Sequence, residues 1–382
     1  MRRPSSIRSS VLVIVLVTLF FTTFALVNFI EQASNDLLVE ARAATSKRLR
    51  LEAYSALEVT LATLQDFSTA NHGLHSPAEG WNDPLGFAGW APREGCTAEV
   101  AFEDESGKIP LNRVDAATLV NLFKGWQMSQ ADAERLADAL LGWMRRDYVA
   151  ASGLATHYDQ GELPYDPPLR SLRSFSELAA IDYARDVFYD EQGRPNERWH
   201  RFVAAFSLYN FPQQNLNAMP ADALMALGVS DPQLQQRMKD YLAGTGQYAT
   251  QGARWFTSPT DAAGVLGANA LPAGAGALVQ ALRVNITIRE GRAQFTLSTV
   301  VAPPGGATLV PAAAAPANAT APATPAAPAA NTSSYLPSQG KAAQGSGTPA
   351  AAPASPAPKL NYPFTLLEIE ENAVMSPPPP AA

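Results

Sequence analysis

Hydrophobic and polar positions divide this chain into stretches of very different texture. Val11–Ile30 is an apolar run without a charge, and neither Gly nor Pro interrupts the chain between Ser5 and His72. The pattern predicts one helix from residue 11 to about 67. At 1.5 Å per residue it is ~85 Å long, well beyond the ~30 Å of a bilayer core. Its second half places Tyr54, Leu57, Leu61 and Leu64 on one face, the spacing of a helix packed on something else. Between that face and the apolar run lies the charged segment SKRLRLE. The helix is therefore expected to leave a membrane, cross a polar stretch and dock its last turns on a folded body. A short anchor followed by a separate amphipathic helix is the alternative the pattern leaves open.

After residue 72 the texture changes to a loop rich in Gly, Pro and Trp. His72 and His75 have H-x-x-H spacing, but no further ligands stand near them, so they read as loop residues and not as a zinc site. Thr97–Phe102 alternates as a strand does, Ser106–Gly107 marks a turn, and Lys108–Leu111 is a second short extended segment. A repeat follows. Leu111-Asn112 precedes Leu119 and Leu122 at the same offsets by which Leu216-Asn217 precedes Leu224 and Leu227. Each copy then starts a second helix. Ser129 with Asp132 caps the first, and Ser230-Asp231-Pro232 opens the other. Leu136, Leu140 and Gly142 correspond to Met238, Leu242 and Gly244. Residues 111–142 and 216–244 thus resemble helix-hairpin-helix units inside a helical segment spanning 107–280.

Between the copies, Ser174-Phe175-Ser176-Glu177 reads as a capping box that starts a helix carrying Leu178 and Ile181. Asp147, Asp159, Glu162 and Asp166 form a scattered acidic set. Such hard oxygen ligands suit calcium, but they lack EF-hand spacing and have Arg145 and Arg146 among them. Further on, 281–288 and 293–301 are two strands joined by the turn Arg289-Glu290-Gly291-Arg292. Residues 302–358 are almost entirely Ala, Pro, Thr, Ser, Gly and Asn, a composition that buries no core. Within 359–382, Tyr362–Glu371 again reads as a strand. It is expected to return and pair with the 281–301 hairpin, which makes the Ala/Pro tract a loop; deleting 303–357 is then expected to leave folding intact.

Composition and charge narrow the function. The 382 residues carry a net charge of −7, unlike the basic surface of a nucleic-acid-binding protein. Helix-hairpin-helix modules that bind DNA present a Gly-x-Gly turn whose amides meet phosphate. The turns here, LFKGWQMS and ALGVSDP, hold one Gly each. A single cysteine, Cys96, allows no intramolecular disulfide and reads as a packed or loop residue. No nucleophile–base pair or Gly-rich phosphate loop stands out, so an enzyme is not expected. Arg2, Arg3 and Arg8 before the apolar run, against Glu31, Asp36 and Glu40 after it, place residues 1–10 in the cytoplasm and the bulk of the chain outside. The run exceeds a signal-peptide core and no A-x-A-like cleavage site follows, so a retained anchor over 11–30 is favoured.

The order of parts resembles the K-type minor pseudopilins of the bacterial type II secretion system. The residues that carry the likeness are Asp104-Glu105-Ser106-Gly107-Lys108-Ile109-Pro110-Leu111-Asn112, SFSEL at 174–178 and Asn215-Leu216-Asn217-Ala218. The resemblance implies an α+β fold: a transmembrane pilin-stem helix, and a pilin-like antiparallel sheet (first part 68–106, closed by the hairpin 281–301) carrying the inserted all-α region with its two helix-hairpin-helix-like repeats. It implies a structural subunit at the pseudopilus tip that helps initiate assembly. Its setting is the bacterial inner membrane, crossed once, with the bulk periplasmic. Its partners are other minor pseudopilins, and prepilin peptidase if the leader is cut. Cleavage normally follows a Gly; here Ser10 stands in that place, with Val11 next. Pilins usually carry a Glu five residues into the stem, where this chain has Val15, a loss that suits a subunit with no neighbour above it. The family's acidic stretch associated with calcium is replaced by Gly142-Trp143-Met144-Arg145-Arg146-Asp147. No other cofactor is expected. A membrane-anchored DNA-uptake receptor using the hairpin repeats is the second functional reading.

Overall fold

The computed structural model describes residues 7–153, 156–158, 164–267, 270–310 and 364–372, with side chains from residue 13 onward. All belong to one compact unit, Met1–Val310 with Pro363–Ala382; Pro311–Tyr362 forms a second unit that lies outside the described residues. The apolar run and the amphipathic segment form one uninterrupted helix, α1 (Ile7–Ala70). Its first half is bare: the apolar side chains of Val13–Ile30 and those of Leu37, Leu38 and Val39 are exposed. Its second half buries Leu49, Ala53, Ala56, Leu57, Leu61 and Leu64. These positions recur every three to four residues, so one stripe faces the body while the charged positions stay wet.

That stripe lies on a four-stranded sheet. After the short helix α2 (Pro84–Phe87) comes β1 (Cys96–Asp104), and the hairpin strands are β6 (Leu282–Glu290) and β7 (Ala293–Ala302). The last strand, β8 (Thr365–Glu371), pairs antiparallel with β7, giving the order β1-β6-β7-β8. The tail strand therefore returns to the hairpin, as its pattern predicts. Leu282, Val284, Ile286 and Ile288 of β6 point at α1, with Phe295, Leu297 and Val301 of β7 and Phe364 beside them. Trp81, fully buried, wedges the 73–95 loop into this core edge-on to Phe102 at 5.0 Å. In that loop His75 is buried with Nδ1 2.5 Å from Glu79, whereas His72 is exposed, so the two histidines share no ligand site.

The helical region has its own core. In chain order it holds β2 (Ile109–Pro110), α3 (Ala116–Gly125), α4 (Gln130–Met144), α5 (Ala184–Phe188), α6 (Glu197–Ala205), β3 (Phe206–Ser207), β4 (Gln214–Asn215), α7 (Ala221–Ala226), α8 (Pro232–Ala243), α9 (Pro259–Leu266) and β5 (Ala275–Gly276). Ser129 accepts from the Asp132 amide and Asp231 from the Gln233 amide, as N-caps do. The first helices of the two repeats pack on each other, α3 on α7. A Cβ on Gly125 would stand 2.1 Å from Met225 Sδ, so a larger residue there would have to push the flexible Met225 side chain aside.

The short extended segment expected at Lys108–Leu111 is present as Ile109–Pro110, which makes a two-residue parallel pair with β3. Three expectations are corrected. Gly142 lies inside α4, whereas Gly244 ends α8 in a left-handed cap, so the copies diverge there. The Ser174 box is shifted: Glu177 Oε1 accepts from the Arg173 amide at 2.9 Å, one residue early, because it also holds Arg170. The helix it opens is a 3₁₀ turn, Phe175–Ala180. Finally, the stretch after β7 is not all loop-like. Ala307 is buried, its amide donates to Gln280, and Asn210 and Thr308 exchange backbone bonds.

Candidate functional site

Two arrangements stand out: the fixing of the stem to the sheet, and the junction where the helical region leaves it. At the first, α1 is tied on both sides of its apolar stripe. Arg48 Nη2 donates to Glu290 Oε2 at 3.0 Å, at the tip of the hairpin. Arg50 Nη2 lies 2.7 Å from Glu371 Oε1, and Tyr54 donates to the same oxygen at 2.7 Å. Both bonds hold the Glu371 carboxyl below the usual carboxylate range. Glu52 accepts from the Arg93 amide at 2.7 Å. Exposed ion pairs such as these contribute little individually; their use is to fix the rotation of the stem on the sheet, so that head and stem move as one body.

At the junction, the segment Asp104–Lys108 turns the chain out of β1. Asp104 is enclosed: Oδ1 accepts from the Ser106 amide at 2.8 Å and Ser106 Oγ at 2.5 Å, and Oδ2 accepts from Asn215 Nδ2 at 2.7 Å. Burial pushes its carboxyl up to about 6 against these three bonds. Next to it, Glu105 lies between Lys108 Nζ at 3.2 Å and Arg283 Nε at 3.1 Å. Burial alone would raise Glu105, but those two cations hold it below the ordinary range. Lys108 also reaches Glu103 at 2.6 Å, and Arg283 reaches Glu368 at 3.6 Å, with the Tyr209 hydroxyl donating to Glu368 as well. Gly107 lets the second repeat close on this turn, since a Cβ there would stand 2.5 Å from Ala218 O.

The Asn-Leu-Asn motif of the second repeat acts as a bolt. Asn215 also donates to His75 O at 2.8 Å, while Asn217 bonds Phe256 and Ala277 backbone groups at 2.7–3.0 Å. In the first repeat Asn112 Oδ1 is buried without a partner. The two copies are therefore unequal in work as well as in length.

The residues singled out from sequence fall in three places. Ser10 and Val11 lie within α1, with side chains outside the described residues. Asp147 is exposed, and Asp159 and Glu162 are outside the described residues. Arg145 donates to the Val114 carbonyl, occupying the position where the resemblance places an acid. Among the described residues no group of three or more His, Cys, Asp and Glu comes together to hold a metal, and the residues present do not fit a calcium site at 142–147. Arg48, Arg50 and Arg283 are positions that spacing alone does not reveal, because Glu290, Glu371 and Glu105 lie 242, 321 and 178 residues away in the chain.

A family model described as type II secretion system (T2SS), protein K, matches residues 103–191, from the end of β1 through the first repeat and the 3₁₀ turn. Over those residues the chain is similar to the type II secretion system protein K family. A chain of the crystal structure of the GspK-GspI-GspJ complex from enterotoxigenic Escherichia coli is similar in fold, with a TM-score of 0.50 at 14% identity, over 71% of this chain and 96% of that one. No curated protein matches the chain. Among the described residues one helix, α1, is long and apolar enough to cross a membrane.

Proposed function

We propose that this chain is a minor pseudopilin of the type II secretion system, that it sits at the tip of the secretion pseudopilus and that, with other minor pseudopilins, it starts assembly of the fibre that moves proteins across the outer membrane. The observation that carries this reading is the division of α1: an exposed apolar half, and a half fixed on the sheet by Leu57, Leu61, Leu64 and the arginine ties. Apolar surface of that kind rests in lipid before assembly and against neighbouring stems after it. The similar chain comes from a complex of GspK with GspI and GspJ, which supports companion minor pseudopilins as partners here.

In this proposal the stem crosses the inner membrane once, the N-terminus is cytoplasmic and the head is periplasmic. Prepilin peptidase would cut between Ser10 and Val11, and Val15 in place of the usual Glu suits a subunit with none above it. The role is structural and non-enzymatic, with no cofactor and no nucleic acid. Co-expression with the companion minor pseudopilins tests it. The full chain is expected to co-purify with them in detergent, and Val17→Asp in the stem is expected to abolish the association while leaving the head's melting temperature unchanged. Failure of the unaltered chain to bind any companion refutes the proposal. Mass spectrometry of the mature N-terminus decides the processing site.

A further inference from the structure

Strand β8 closes one side of the sheet, and its outer edge has no partner strand among the described residues. Sheets protect such edges with Lys, Pro, a twisting bulge or a covering loop, because unpaired backbone groups invite another strand. The sequence of β8, TLLEIEE, contains neither Lys nor Pro, and its bulge lies near the start of the strand, leaving Glu368–Glu371 in regular register. The register shift opposite Val300/Val301 sorts its side chains. Leu366 lies opposite Val301 and Ile369 opposite Thr299, on the α1 side. Glu368 and Glu370 lie opposite Val300 and Ser298, on the other side.

Both halves of that sorting are incomplete. Leu366 and Ile369 are 40% and 45% exposed although they point to the core side, because α1 packs mainly over β6 and β7 and reaches β8 through Arg50 and Tyr54 at Glu371. On the opposite side Arg283 is engaged with Glu105 and Glu368, and Glu370 makes no salt bridge among the described residues. Its hydrogen bond with Glu368, with burial and the like charge adding to it, raises its carboxyl above the ordinary value, and the more distant Arg283 offsets this only in part. The far edge differs: on β1, Glu99 is paired with Arg289 and Glu103 with Lys108.

We propose that the outer edge of β8 is a strand-addition site for an extended segment of a partner protein whose residues alternate between apolar and Lys or Arg. The backbone of that segment pairs with the free N–H and C=O groups of β8. Its apolar residues cover Leu366 and Ile369 beside α1, and its basic residues meet Glu368 and Glu370.

The test uses the full chain in detergent, with empty micelles as control, and a labelled seven-residue peptide alternating Val and Lys. This peptide is expected to bind saturably and to slow amide exchange over 365–371. The same peptide with Glu for Lys, or N-methylated so that it loses donors, is expected to bind at least about tenfold more weakly. Ile369→Lys, at an exposed position, is expected to weaken binding by about tenfold or more, and Glu370→Gln by severalfold, both with unchanged melting temperature. Absence of binding by the Val/Lys peptide, equal binding of all three peptides, or full binding by a folded Ile369→Lys variant overturns the proposal.

Discussion

The residues at the junction carry opposite electrostatic assignments although they are adjacent in sequence. Glu105 is held as an anion by Lys108 and Arg283. Glu105→Gln leaves two buried cations under-compensated and is expected to destabilise the head by about 3–5 kcal/mol, read as a loss of melting temperature. Asp104 behaves inversely. Its folded-state pKa of about 6 lies above the ~3.9 of an unfolded aspartate, so the folded chain holds the proton more tightly. Its contribution to stability therefore improves as pH falls from about 6 to about 4, and near neutrality the anion costs on the order of 3 kcal/mol. Asp104→Asn should flatten the pH dependence of stability in that window. An unaltered slope between pH 4 and 6 would show that Asp104 titrates normally. Both acids were visible in sequence as part of a motif, but their difference was not. It depends on which cations a 180-residue detour brings back, since Arg283 and Asn215 reach them only in the folded chain.

Elements were legible where the hydrophobic period was long and local. The continuous α1, the hairpin β6–β7 and both capped helix pairs follow from spacing that a helix or strand imposes on its own neighbours. Leu61→Ala, within the buried stripe of α1, is expected to cost about 2–5 kcal/mol, measurable by denaturant titration of the head. Strand β8 was also readable as a strand, and its return to β7 makes a clear expectation for truncation. Ending the chain at residue 361 removes Phe364 and an edge of the sheet and should lower the melting temperature. Deleting 315–357 should leave it within about a degree, since that composition contributes no core. The deletion has to begin later than the change of composition suggests, because 303–310 packs on Asn210 and Gln280. Small residues such as Ala307 are buried by fit and not by hydrophobic signal, so no pattern marks them.

At the scale of the whole molecule, topology has a native reporter. Cys96 is the sole cysteine and starts β1 in a partly exposed position. In spheroplasts of a host expressing the chain, a membrane-impermeant maleimide is expected to label it without permeabilisation of the inner membrane. Labelling only after lysis would reverse the proposed orientation.

The sequence by itself determined the long apolar stem helix, the α+β order of parts, the two helix pairs and the resemblance to the K-type family. Each of these rests on local periodicity, turn chemistry or a contiguous motif. Tertiary structure alone decided how the stem is oriented on the sheet, which acid is stabilised as an anion and which edge remains open among the described residues. Those depend on contacts between residues far apart in the chain: Arg50 with Glu371, Asp104 with Asn215, Arg283 with Glu105. Such pairs share no period and no spacing, and only the closing of the sheet brings them together.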